Sequence, residues 1–135
     1  MSKIYLASPL FTPEEKKNVK TVANYLRKQG HEVFVPMEHQ IENAWSYTNA
    51  EWAEMVFQED KKGILDADFV VAIVYGMTDD AGTAWEIGFS YGIGKKVYVL
   101  PVNSTTYSLM IRGSASEYES QFFADDIKWE NCLFS

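Results

Sequence analysis

One cysteine, Cys132, and two histidines, His31 and His39, are all that 135 residues offer of the side chains that usually hold transition metals. A single thiol excludes an intrachain disulfide and a cysteine-based zinc site, and two isolated histidines make no metal cluster. Runs of positive charge are missing as well. Twelve Lys and Arg against nineteen Asp and Glu leave a net charge of −7 and a pI of about 4.8. With no cationic stripe to meet phosphates, a nucleic-acid polymer is not an expected partner, whereas a small free ligand is compatible with this surface. No apolar run is long enough to span a bilayer, so no membrane partner is expected. The opening run Lys3 to Ala7 is too short for the h-region of a signal peptide, and the expected compartment is the cytoplasm. Internal repeats, linkers and low-complexity tracts are absent too. Residues 1–135 therefore read as a single domain, 47% hydrophobic and large enough to bury its own core.

What is present alternates between two periods. Ile4 to Ala7 reads as a short buried strand that leaves through the loop Ser8-Pro9-Leu10-Phe11. Thr12 is a credible N-cap, with Pro13 at the first helical position and two glutamates behind it. Val19, Val22, Ala23 and Leu26 continue as a helical stripe, and Gly30 closes it. Val33 to Val35 is a second strand, stopped by Pro36. Met37 to Asn49 has no period; its aromatics either pack back on the domain or cover a ligand. A helix resumes at Ala50, with Trp52, Met55, Val56 and Ile64 expected on its buried face. Phe69 to Tyr75 is continuously apolar, as a central parallel strand buried on both faces should be.

A helix over 82–93 and a strand over 97–100 follow. After Pro101 the pattern weakens: Ser108 to Gly113 fits a strand or a helical turn, Ser116 to Phe123 a helix, and Ile127 to Trp129 a fifth strand. The tail Cys132-Leu133-Phe134 is apolar enough to dock on the domain or a neighbouring subunit. The expected class is α/β, a doubly wound, flavodoxin-like or Rossmann-like sheet of about five mainly parallel strands flanked by helices.

Chemistry concentrates between Asp79 and Gly88, where a turn rich in Asp and Gly joins the apolar strand to a helix. Open α/β sheets place their ligands at such strand ends. Asp80 lies in the loop, Glu86 falls in or just after the first helical turn, and Asp60 sits late in the preceding helix, where its charge opposes the helix dipole. Several carboxylates without a cysteine nucleophile suit cleavage at an anomeric carbon. One ionised acid captures an oxocarbenium-like centre while a protonated one serves the leaving group. The rival use of three acids is to hold Mg²⁺ beside a phosphate. A non-catalytic nucleotide-binding domain on the same frame is a third reading. Taken alone, Tyr5 is an ordinary packing residue, and Trp52, Met55 and Trp85 read as core.

The opening Lys3-Ile4-Tyr5-Leu6-Ala7-Ser8-Pro9 with Phe11, followed by Asp80-x-Gly82-Thr83-x-x-Glu86-Ile87-Gly88, resembles the nucleoside 2-deoxyribosyltransferase family. The spacing of Asp60, Asp68, Asp80 and Glu86 is similar, and Ser108-Leu109-Met110-Ile111 falls where that family has an Asn-Leu-Met segment. The resemblance implies that Glu86 is the nucleophile attacking C1′ of a deoxyribosyl group, and that Tyr5 orients it. It implies that Asp60 and Asp80 manage the proton of the base, and that Gln40 and Phe11 contact the base, with Ser8 and Gly82 in the substrate-binding set. No cofactor or metal is implied. The reaction expected is a retaining, ping-pong transfer between nucleobases, a step of nucleotide salvage.

The same resemblance implies a homo-oligomer, a dimer at minimum or a hexamer, in which the segment Ser108 to Met110 completes the neighbour's site. Ser108 departs from the pattern, since the transferases carry Asn there. With Met110, Ile111, Arg112 and Gly113 it is similar to a related branch, the 2′-deoxynucleoside 5′-phosphate N-hydrolases, where the serine binds the phosphate. There Arg112 would add a charge-assisted bond if it points inward. The loop Ser8 to Phe11 lacks the Gly- and Arg-rich phosphate loop of those hydrolases, so transfer and hydrolysis both stay open.

Overall fold

The structure, a computed structural model, describes residues 1–76, 80–102 and 108–118. Alternation in the first strand, β1 (Lys3–Ala7), already divides the molecule into two layers. Ile4 and Leu6 point to one face of the sheet, where helix α1 (Pro13–Lys28) lays down Val19, Val22, Ala23 and Leu26. Tyr5 and Ala7 point to the other face, which receives Ile64, Ile87 and Ile111 from the later helices. Each buried Val, Leu and Ile side chain among them contributes on the order of 1.5–3 kcal/mol through removal from water.

The strands β2 (Glu32–Phe34), β3 (Phe69–Val74) and β4 (Lys96–Pro101) join β1 in the order β2-β1-β3-β4, all parallel. A two-residue pairing, β5 (Glu117–Tyr118), extends the β4 edge. Four strands therefore carry the sheet, and about five overstates it slightly. The apolar run of β3 lies between β1 and β4 and is covered on both faces, as its composition requires. The second strand lies one residue earlier than 33–35, although Val35 is still buried. Where a helix was expected from Ser116, Glu117 and Tyr118 pair with Tyr98 and Val99 instead. The remainder of that segment, the strand expected at Ile127 to Trp129 and the tail around Cys132 lie outside the described residues.

Helix ends follow local chemistry. Thr12 and Glu15 form a reciprocal capping box at the start of α1, and Gly30, with φ of +92°, takes the left-handed turn after it. Thr48 and Glu51 do the same for α2 (Asn49–Asp66), which starts one residue before Ala50. At the other end of α2 the Lys95 ammonium donates to the carbonyls of Leu65, at 3.0 Å, and Ala67. That contact ties the helix end to the turn between α3 (Ala81–Gly92) and β4.

The expected buried face of α2 is corrected. Only Gly63 and Ile64 are buried, Met55 and Val56 are half-buried, and Trp52 is 45% exposed. The helix meets the sheet through its C-terminal half, while its N-terminal half stands clear. The irregular segment before it contains two short 3₁₀ turns, Pro36–Glu38 and Ala44–Ser46, and Trp45 is 86% exposed rather than packed back. The last described helix, α4 (Leu109–Ser114), resolves the strand-or-turn ambiguity in favour of helix. No helix among the described residues is long and apolar enough to cross a membrane.

Candidate active site

Two helices and one strand converge on the Tyr5 face of the sheet. Tyr5 is fully buried, and its hydroxyl donates to Oε2 of Glu86, which projects from the second turn of α3. Asp80 is the N-cap of that helix, its Oδ2 accepting from the Thr83 amide at 2.9 Å and the Thr83 hydroxyl at 3.1 Å. Asp60 faces them from α2. Phe57, Asp60, Gly82, Trp85 and Glu86 line a cleft of about 320 Å³.

Burial dominates the electrostatics. It lifts the Glu86 carboxyl to about 7, with the charges of Asp60 and Asp80 adding to the rise and the Tyr5 hydrogen bond opposing it. Asp60 is raised to about 6, first by burial and then by the charge of Glu59, while His39 pulls in the opposite direction. Tyr5 is pushed far above the phenol range by burial, by the Glu86 charge and its hydrogen bond, and by Asp60. It therefore stays protonated and remains a donor. The arrangement contains a carboxyl raised to about 7, a hydrogen-bond donor to it, and a second carboxyl raised to about 6.

Of the residues singled out in the sequence, Tyr5, Asp60, Asp80, Gly82 and Glu86 come together here. Ser8 turns its hydroxyl to the Pro9 carbonyl at 2.9 Å. Phe11 stands on the loop after β1, 77% exposed, and Gln40 is also exposed. Ser108 and Met110 line a different cleft, of about 220 Å³, with Ala84, Ile87 and Gly88 of α3. Ser108 is the N-cap of α4 and Arg112 is exposed in its last turn, so the inward-pointing Arg112 expected of a phosphate site is not seen within the chain. Among the described residues no group of three His, Cys, Asp or Glu side chains is placed to hold a metal ion.

Sequence reasoning missed two neighbours of the acids. Trp85, read as core, is 45% exposed at the cleft, and its ring lies 5.2 Å from that of Phe57 and 5.1 Å from that of Phe89. The signal was available: Phe57 precedes Asp60 by three residues and so shares its helix face, and Trp85 adjoins Glu86. A second miss is a column of rings. Tyr5 stacks on Phe34 with centroids 5.4 Å apart, and Phe34 stacks on His39 at 4.1 Å and 3°.

Solved structures resemble this arrangement at several distances. A 2-deoxyribosyltransferase from the psychrotolerant bacterium Bacillus psychrosaccharolyticus is 39% identical with a TM-score of 0.84, the match covering 98% of this chain and 93% of that one. A conserved protein from Enterococcus faecalis is 24% identical with a TM-score of 0.75, over 89% and 91% of the two chains. The CMP N-glycosidase of Clostridium botulinum is 23% identical with a TM-score of 0.60, over 90% and 88%. The last two likenesses bear on the fold alone. No curated protein sequence matches the chain significantly. The nucleoside 2-deoxyribosyltransferase family model matches residues 4–128, nearly the whole chain, and with it the 39% identity establishes that this protein belongs to the nucleoside 2-deoxyribosyltransferase family.

Proposed function

We propose that the protein transfers a 2-deoxyribosyl group between nucleobases through a covalent ester with Glu86. The observation that carries this reading is the Tyr5 hydroxyl bound to Oε2 of a half-buried carboxylate that opens onto a cleft shared with Asp60. With one oxygen held, the other is directed at C1′. Attack forms the C1′–O bond as the C1′–N bond breaks, and Asp60, the carboxyl that titrates near 6, gives its proton to the departing base. Asp80 is less suited to that task, because its Oδ2 is committed to capping α3. A second base then attacks C1′, its N–H proton passing to Asp60 as the C1′–N bond forms and the C1′–O bond breaks to return the Glu86 carboxylate, and two inversions give net retention. The 39% identical 2-deoxyribosyltransferase supports transfer as the reaction.

Incubation of a deoxynucleoside with a different free base is expected to yield the exchanged nucleoside. Release of free base from a deoxynucleoside 5′-monophosphate in water, without exchange, would replace transfer by hydrolysis. That second reading draws on Ser108, whose half-buried hydroxyl stands where the transferases have an amide. Binding without any turnover would leave only a nucleotide-binding domain.

The cleft is also proposed to be completed by a second copy of the chain. Leu109 and Met110 on α4 are each 80% exposed, an apolar pair outside the chain's own Glu86 cleft. Activity per chain should accordingly fall on dilution, in step with dissociation seen by sedimentation. A fully active monomer would contradict the shared cleft.

A further inference from the structure

The hydroxyl of Tyr5 can hold Glu86 only if the ring beneath it is held, and among the described residues no other polar group anchors that side chain. Its position is set by packing. Phe34, from the neighbouring strand β2, stacks on it at 17°, and His39 covers the outer face of Phe34. From the helix side Gly63 closes the column. A Cβ built at Gly63 would lie 3.0 Å from Cδ2 of Tyr5 and 3.1 Å from Cδ1 and Cε1 of Phe34. These separations are closer than side-chain packing ordinarily permits, so a methyl group there displaces rings or helix by a few tenths of an ångström. Gly63 also follows Asp60 by three residues and shares its face of α2. The same contact therefore sets how closely Asp60 approaches the Tyr5–Glu86 pair.

Helix propensity argues against glycine at this position. In a helix interior it costs roughly 1 kcal/mol relative to alanine. Gly92 in α3 has open space around its missing Cβ, whereas Gly63 has two aromatic rings. The stability cost at Gly63 is offset by a close approach that only glycine allows.

We propose that Gly63 and Phe34 are positioning residues for the reaction, fixing the Tyr5 ring so that its hydroxyl and the Asp60 carboxyl meet Glu86 in register. The inference rests on the deoxyribosyl-transfer reading above. It assigns a role to residues that touch neither nucleoside nor base, and it makes the spacing between α2 and β1 a determinant of rate rather than of affinity.

Gly63→Ala, with Gly92→Ala as control, tests it. The expected result for Gly63→Ala is a kcat lower by about tenfold with KM within about threefold, since small displacements of aligned groups act on the transition state. The limb of the pH profile near 7, set by Glu86, should also move upward, because the Tyr5 bond is what lowers the Glu86 pKa. Gly92→Ala should match the parent protein. Unchanged kcat and an unmoved upper limb in Gly63→Ala would overturn the proposal.

If Gly63→Ala does not fold, Phe34→Leu against Phe34→Tyr decides: the aliphatic variant should reproduce the loss and the shift, and the aromatic one should restore both. Equal activity in those two variants would likewise overturn it. Titration of the Glu86 carboxyl by carbon-13 NMR, assigned with Glu86→Gln, separates this inference from the reaction itself. Absent turnover in the parent protein with the shift still seen removes the transferase reading and leaves the positioning role standing.

Discussion

Glu86→Gln should reduce base exchange by at least about 10⁴-fold and, at pH 8, make the protein more stable than its parent. The loss follows from removing the atom that bonds to C1′, since an amide oxygen cannot form a competent ester intermediate, and single deletions of covalent nucleophiles have effects of this order. The gain in stability follows from linkage. The folded chain holds the Glu86 proton up to about 7, against an ordinary value of 4.5. Stability from that group is therefore complete below about 4.5 and is lost as pH rises through 7. Fully ionised, the carboxylate costs on the order of 3 kcal/mol, from its rise from 4.5 to about 7. Glutamine is neutral at every pH and keeps an acceptor for the Tyr5 hydroxyl. The melting temperature should rise by roughly 5–10 °C at pH 8 and hardly at all near pH 4.5. Retained exchange would remove Glu86 from the nucleophile's role, and a pH-independent change in melting temperature would show that its charge is not strained.

The second large effect concerns the pH dependence of kcat/KM. Transfer needs Glu86 ionised and Asp60 protonated, yet Glu86 titrates near 7 and Asp60 near 6. The productive pair is thus a minority at every pH and is most abundant between the two values. A bell with limbs close to 6 and 7 is expected for a donor whose base does not itself titrate there, and the limbs belong to the coupled pair rather than to single residues. Asp60→Asn should abolish the basic limb and lower the rate by about 10²–10⁴-fold. The acid limb that remains should then report Glu86 alone, below about 7 because the Asp60 charge no longer raises it. A basic limb that survives in Asp60→Asn would transfer the proton-handling role to another group, with Asp80 the first to examine.

The elements whose identity depends on neighbours in sequence were the legible ones. Thr12, Pro13 and Glu15 mark a helix start within four residues, and the unbroken apolar run of β3 announces burial on both faces. The acidic turn from Asp80 to Glu86 was legible too, because its cap and its carboxylate fall within the first two turns of one helix. What failed was long-range. Trp52, Met55 and Val56 have the spacing of a buried stripe, but spacing says only which residues share a face, not how far the sheet beneath extends. The ring column draws on β1, β2 and the 3₁₀ turn that follows, and only the parallel register Tyr5 to Phe34 brings the first two side by side. Gly63, similarly, reads as a weak helix residue until the rings it faces are known.

The alternation in β1 has an effect on timing as well as on geometry. Tyr5 is part of the buried cluster with Val70, Val97 and Ile64, in the middle of the sheet. Its amide is expected in the most protected cooperative unit, exchanging with solvent hydrogen only on global opening. Phe11, Gln40 and Trp45 instead lie on exposed loops, where opening costs little. The Tyr5–Glu86 pair and the exposed loops should thus lie at opposite ends of one stability hierarchy, a difference that hydrogen exchange would read as slow amides in β1 and fast ones around Phe11, Gln40 and Trp45.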